Sequence, residues 1–122
     1  MNNIGKGKAG EKLASNYLKN RGYRILEENY KVSFGEIDII AQKGEFLVFV
    51  EVKTRTPSHY GTPACAVTYH KKQRMIKAAK VYMQRHGNAY GRFDVIEIFA
   101  VKNGENFVAD KINHIINAFS EG

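Results

Sequence analysis

From Phe46 to Val50 the chain is apolar at five consecutive positions, and on both sides polar and apolar residues take turns. A short apolar run with alternating flanks is the pattern of a strand inside a covered sheet. The stretches Gly35 to Ala41 and Glu45 to Thr54 therefore read as a β-hairpin, with Gln42, Lys43 and Gly44 near its turn. Upstream, Ala9, Leu13, Ala14, Tyr17 and Leu18 recur at helical spacing, which predicts a helix from Lys8 to Arg21 closed by Gly22. Tyr23 to Tyr30 reads as a first strand. A second helix is predicted from Thr68 to Arg85, turning Met75, Ile76, Ala79, Tyr82 and Met83 inward.

Arg92 to Val101 alternates as a strand, and Asn103-Gly104 predicts a hairpin turn into a short strand from Asn106 to Ala109. Pro57, Ser58, Gly61 and Pro63 predict a mobile loop from Thr56 to Pro63, and Ile112 to Phe119 reads as a docked short helix or irregular tail. The order α-β-β-β-α-β-β predicts an α/β fold, a mixed β-sheet flanked by α-helices. At 122 residues the chain is read as a single domain over 1–122.

One feature resists the plain sheet reading. Glu36, Asp38, Glu51 and Lys53 sit inside the two strands of the hairpin, where alternation sends them to one side. Placing Ala41 opposite Phe46 sets Asp38 opposite Phe49 and Glu36 opposite Glu51, with Asp38 diagonal to Glu51. Diagonal neighbours lie about 7–8 Å apart, so both carboxylates reach a common point. Like charges gathered on a sheet repel, and removing an ion from water costs several kcal/mol. Lys53 supplies one compensating charge; Mg²⁺ or Mn²⁺, which favours a few carboxylates plus water and phosphate oxygens, would supply the rest. Glu11, at the edge of the first helix's apolar arc, is a candidate third acid. A plain surface network of lysine and carboxylates, and a first-turn acid complementing a helix dipole, are the blander explanations.

Charge extends the picture. The formal net charge is +7, and between Val52 and Phe93 nine Lys and Arg occur with no Asp or Glu. Helical faces ordinarily mix signs, so this imbalance points to phosphate contact. Arg55, Lys71, Lys72, Gln73, Arg74 and Lys77 are the candidate DNA-binding residues, with the Thr56–Pro63 loop between them and Tyr60 and Tyr69 as candidate base-stacking rings. The opening MNNIGKGKAGEKL lacks the apolar stretch of a signal peptide, and the single Cys65 excludes an internal disulfide, so a cytoplasmic location with no membrane is expected. Gly5 to Gly10 matches G-x-G-x-x-G with no strand before it and reads as coincidence. The four histidines lack metal-ligand spacing.

Asp38 followed by Glu51-Val52-Lys53 resembles the core of the PD-(D/E)XK nuclease superfamily, with Ile37 where that name has Pro. The wider set is more specific: Gly10-Glu11, Gly22-Tyr23, Gly35 to Asp38, Phe49 to Arg55, and Arg92 to Val95. It resembles the YraN-like family of small bacterial proteins, which is similar to archaeal Holliday-junction resolvases. The resemblance implies a restriction-endonuclease-like core. It also implies that Glu11, Asp38, Glu51 and Lys53 are catalytic, with Asp38, Glu51 and Glu11 as metal ligands. The expected activity is that of a Mg²⁺-dependent DNA endonuclease acting on branched or structured DNA, and a homodimer is among the assemblies allowed. A catalytically weak DNA-binding module on a nuclease fold, or a scaffold for a repair protein, remain the alternatives.

Overall fold

The computed structural model describes residues 5–61, 67–87 and 90–121. Along them run α1 (Lys6–Asn20), β1 (Arg24–Val32), β2 (Gly35–Lys43), β3 (Phe46–Arg55), a 3₁₀ turn at Pro57–His59, α2 (Tyr69–His86), β4 (Tyr90–Asn103) and β5 (Asn106–Phe119). The strands form one five-stranded sheet in the order β1-β2-β3-β4-β5. β3 and β4 run parallel, joined by the α2 crossover, while the other neighbours are antiparallel. A mixed sheet with one helix on each face is the α/β arrangement expected from the element order, and it is consistent with the restriction-endonuclease-like core that the resemblance implies.

The apolar run at the centre of β3 follows from this layering. Val48 and Val50 face α1, packing with Ala14, Leu18, Ile39 and Ile96. Leu47 and Phe49 face α2, packing with Ile40, Ala78, Ala79 and Tyr82. Because both faces are covered, alternation gives way to continuous apolarity. Both helices seat closely at a glycine. A Cβ at Gly10 would run into Thr54 Oγ1 of β3, and one at Gly35 would meet the carbonyl oxygen of Arg74 in α2. The start of α2 is held by Thr68, whose Oγ1 accepts from the Lys71 amide at 3.2 Å.

A buried polar brace ties β4 to β5 and α1. Asp94, fully buried, accepts two bonds of 2.9 Å from Arg92, one of 3.0 Å from the Asn117 amide, and lies 2.7 Å from His114 Nε2. Arg92 also donates to Tyr23 at 2.7 Å, and His114 Nδ1 lies 3.1 Å from the Tyr17 hydroxyl. Burial pushes the Asp94 carboxyl up, but the His114, Arg92 and Asn117 bonds together hold it below the ordinary carboxylate range.

Three local expectations change. The segment from Ile112 to Phe119 is neither helix nor irregular tail but the second half of β5, pairing Ile112 with Ile98 and Ile115 with Val95. The free edge of β4 needs a ladder partner more than this apolar stretch needs helical bonds of its own. The β2–β3 turn is tighter than expected, with Lys43 opposite Phe46 and Ala41 opposite Val48. A shift by an even number of residues keeps each strand's faces but changes who stands opposite whom. The Thr56 to Pro63 segment, expected to be a mobile loop, opens with the short Pro57–His59 helix; Pro63 and Cys65 lie outside the described residues.

Candidate active site

The carboxylates meet where the hairpin ladder ends. The last rungs pair Ile40 with Phe49 and Ile39 with Val50, and the next residues of the two strands are Asp38 and Glu51. Here the regular alternation breaks, since Ile37 and Ile40 both pack on the α2 face. Asp38 Oδ2 accepts a 2.8 Å bond from the Val52 amide, so a side chain takes the place of a ladder carbonyl. That bond fixes the Asp38 carboxylate in the opening between the two strands.

Glu51 is buried, and its Oε1 has no hydrogen-bond partner among the described residues. Its Oε2 lies 3.4 Å from Lys71 Nζ of α2. Burial and then the neighbouring Asp38 charge push the Glu51 carboxyl up to about 7, against the pull of Lys71. Glu11 joins from α1: burial, then the Asp38 charge, raises its carboxyl, while a hydrogen bond from Asn29 opposes the rise. Two raised acids around Asp38 are the electrostatic signature of a site short of positive charge.

Lys53 lies two residues beyond Glu51 on β3, half-buried and abreast of Glu97 on β4. No ion pair holds it among the described residues. Glu36, expected on the same face, stands opposite Lys31 of β1 in the strand register and next to Ile37, which packs on the α2 face.

The expected DNA contacts divide. Arg55 is turned into the fold, where its Nε lies 3.0 Å from Glu97 Oε2, and Glu97 is further held by Asn113 at 2.9 Å. Lys71 is drawn to Glu51, and Lys72 lies over the Phe119 ring at 5.6 Å. Gln73 is half-buried, while Arg74 and Lys77 are exposed on α2. Tyr60 packs on Phe99 with ring centroids 4.8 Å apart, and Tyr69 stands open at the start of α2 with 71% of its surface exposed.

Lys71, expected to contact DNA, is instead a partner of Glu51, and Asn29 was not expected in the site at all. Lys71 shares a helical stripe with the buried Met75, Ala78 and Tyr82, so its spacing already marked it as inward. Asn29 gave only the weak signal that Asn tolerates left-handed backbone; it has φ 54 inside β1, level with Asp38.

The family model described as "Uncharacterised protein family UPF0102" matches residues 10–98, from the glycine beside Glu11 to just beyond Asp94. The chain belongs to the UPF0102 family. This is the YraN-like family whose motifs the sequence resembles. A UPF0102 protein of Caldanaerobacter subterraneus subsp. tengcongensis is 47% identical over 115 residues, covering 93% of each chain. Another from Thermodesulfovibrio yellowstonii is 47% identical over 120 residues, covering 98% of this chain and 99% of its own. A third, from Clostridioides difficile, is 43% identical over 121 residues, covering 98% and 100%. Within this UPF0102 chain, no described helix is long and apolar enough to cross a membrane.

Proposed function

We propose that this UPF0102 protein is a metal-dependent endonuclease that hydrolyses phosphodiester bonds in DNA, favouring branched or structured substrates. The observation that carries the reading is the buried, unpartnered Glu51 Oε1 beside Asp38 at the point where β2 and β3 part. An orphaned anionic oxygen next to a second carboxylate is costly unless a cation visits it.

Among the described residues no three or more carboxylate, imidazole or thiol groups close into a complete metal cage. The donor set suits Mg²⁺ or Mn²⁺ nonetheless, because such ions take one or two carboxylates and leave other positions to water and phosphate oxygens. Asp38 and Glu51 would hold the ion, with Glu11 within electrostatic range of Asp38. The bound ion supplies Lewis acidity toward the phosphate.

The chain's own residues do the rest. Asp38 is oriented by the Val52 amide, so its carboxylate needs no reorganisation during the reaction. Lys53 offsets the charge that grows on the non-bridging phosphate oxygens. A water oxygen forms the new bond to phosphorus, the ester P–O bond breaks, and the departing alkoxide takes a proton from solvent. Glu11, its carboxyl already raised, is suited to receive the proton that the attacking water gives up.

The test is a cleavage assay on linear, flapped and four-way DNA with Mg²⁺, Mn²⁺ or EDTA. Cleavage with either ion, lost in EDTA and in Asp38→Asn, is the expected result. Tight DNA binding with no cleavage under any condition would leave the chain a binding module on a nuclease fold.

A further inference from the structure

Three of the four lysines of α1 form a ridge outside the core. At 100° per residue, Lys8, Lys12 and Lys19 fall within about 40° of one another on the helix surface. All three are exposed, and no ion pair engages them among the described residues. Lys8 and Lys12 stand one turn apart, a spacing at which like charges repel. On α2, Lys71, Lys72 and Lys80 each have a partner within the chain, Glu51, the Phe119 ring and Glu121, while the exposed Arg74 and Lys77 have no ion pair among the described residues.

The ridge borders a groove of ≈ 460 Å³ between α1 and β1, whose opposite wall carries Glu28 and Asn29. Ser15 Oγ donates to Glu28 Oε2 at 3.3 Å, which ties that acid down into the groove. Asn29, on the same wall, is held in the left-handed region at φ 54. Glu11 itself lines the groove and feels the Asp38 charge. Glu11 follows Gly10, which seats α1 against Thr54 of β3, so the Glu11 end of the groove lies beside the strand that carries Glu51, and its outer lip is positive.

We propose that this groove takes one strand of the DNA, with phosphates against Lys8, Lys12 and Lys19 and the scissile phosphodiester delivered to the Glu11 end. The inference rests on the nuclease reading and specifies how the substrate approaches. The ridge from Lys8 to Lys19 rises about 16 Å, which spans roughly five nucleotides of a B-form strand. Contacts of this kind go to phosphate and read no sequence.

The experiment measures anisotropy of labelled single-stranded and duplex oligonucleotides with the full chain in EDTA, over a series of salt concentrations. It compares Lys12→Ala/Lys19→Ala on α1 with Arg74→Ala/Lys77→Ala on α2. The expected result is that the α1 pair weakens binding about tenfold and flattens the slope of log affinity against log salt by roughly one to two units. These lysines are exposed, so circular dichroism and melting should match wild type. Unchanged affinity and slope in the α1 pair, with loss in the α2 pair, would overturn the groove and leave the nuclease reading standing. A wild-type chain that binds neither oligonucleotide at low salt would overturn both.

Discussion

Lys71 Nζ of α2 reaches across to within 3.4 Å of Glu51 Oε2 on β3. An ammonium there partly fills the need for positive charge that a divalent ion would fill completely. Lys71→Met should therefore bind Mn²⁺ roughly three- to tenfold more tightly, because a competing charge is gone. The same variant should bind DNA somewhat less tightly, having lost a cation near the phosphate. Isothermal titration with Mn²⁺ reads the first effect; weaker Mn²⁺ binding in the variant would make Lys71 a brace for Glu51 rather than a stand-in.

The raised Glu51 carboxyl gives the metal-free protein a pH signature. Folding holds a proton that the unfolded chain releases from about 4.5 upward, so stability is full below that value. It should fall as pH rises through about 7, then level off. Glu51→Gln removes that loss, so melting in EDTA should be higher than wild type at pH 8 and equal to it at pH 4. A difference of the opposite sign at pH 8 would mean the acid is better solvated than its burial implies.

Metal should reverse the same penalty. Mg²⁺ or Mn²⁺ should raise the melting temperature of the wild type as its concentration passes the dissociation constant. Asp38→Asn combined with Glu51→Gln should show no such rise. Differential scanning calorimetry with and without the ion decides it.

Lys53→Ala separates chemistry from binding. With no ion pair to break among the described residues, the change should leave DNA affinity within a few-fold. Cleavage should fall by a factor of about 100 or more if the ammonium meets charge developing on the phosphate. Equal loss of both in parallel assays would assign Lys53 to binding.

The Asp94 brace is a stability element. Asp94→Asn leaves Arg92, with 14% of its side chain exposed, without its carboxylate and should cost about 3–5 kcal/mol in urea unfolding. Because the Asp94 carboxyl is depressed, its contribution is present above the ordinary carboxylate pKa. It is lost as pH falls through the lower folded value. The wild type should therefore destabilise in strong acid more steeply than the variant.

Much of this was legible from periodicity. The helices, the hairpin and the element order came from apolar spacing, because each helix buries one stripe and β3 is covered twice. The acids were visible as a violation of that pattern. What stayed hidden was decided between segments: the hairpin register, set by a two-residue turn at Gly44-Glu45, and the pairing of β5 with β4 from Phe93 to Asn103. Arg55 illustrates the limit most sharply. Its place after Glu51 and Lys53 suggested an outward cation, yet Glu97, 42 residues away in sequence, draws it inward.

Gly10 has room for a hydrogen and nothing larger, since Thr54 of β3 lies against it, and the next residue is Glu11. A bulkier side chain at position 10 would lift α1 off the sheet and carry the acid and the lysine ridge with it. A screen of random variants for loss of the proposed cleavage activity should accordingly return Gly10 substitutions beside those of Asp38 and Glu51. Thr54→Ala or Thr54→Gly, by opening space from the opposite side, is where second-site revertants of Gly10→Ala should arise.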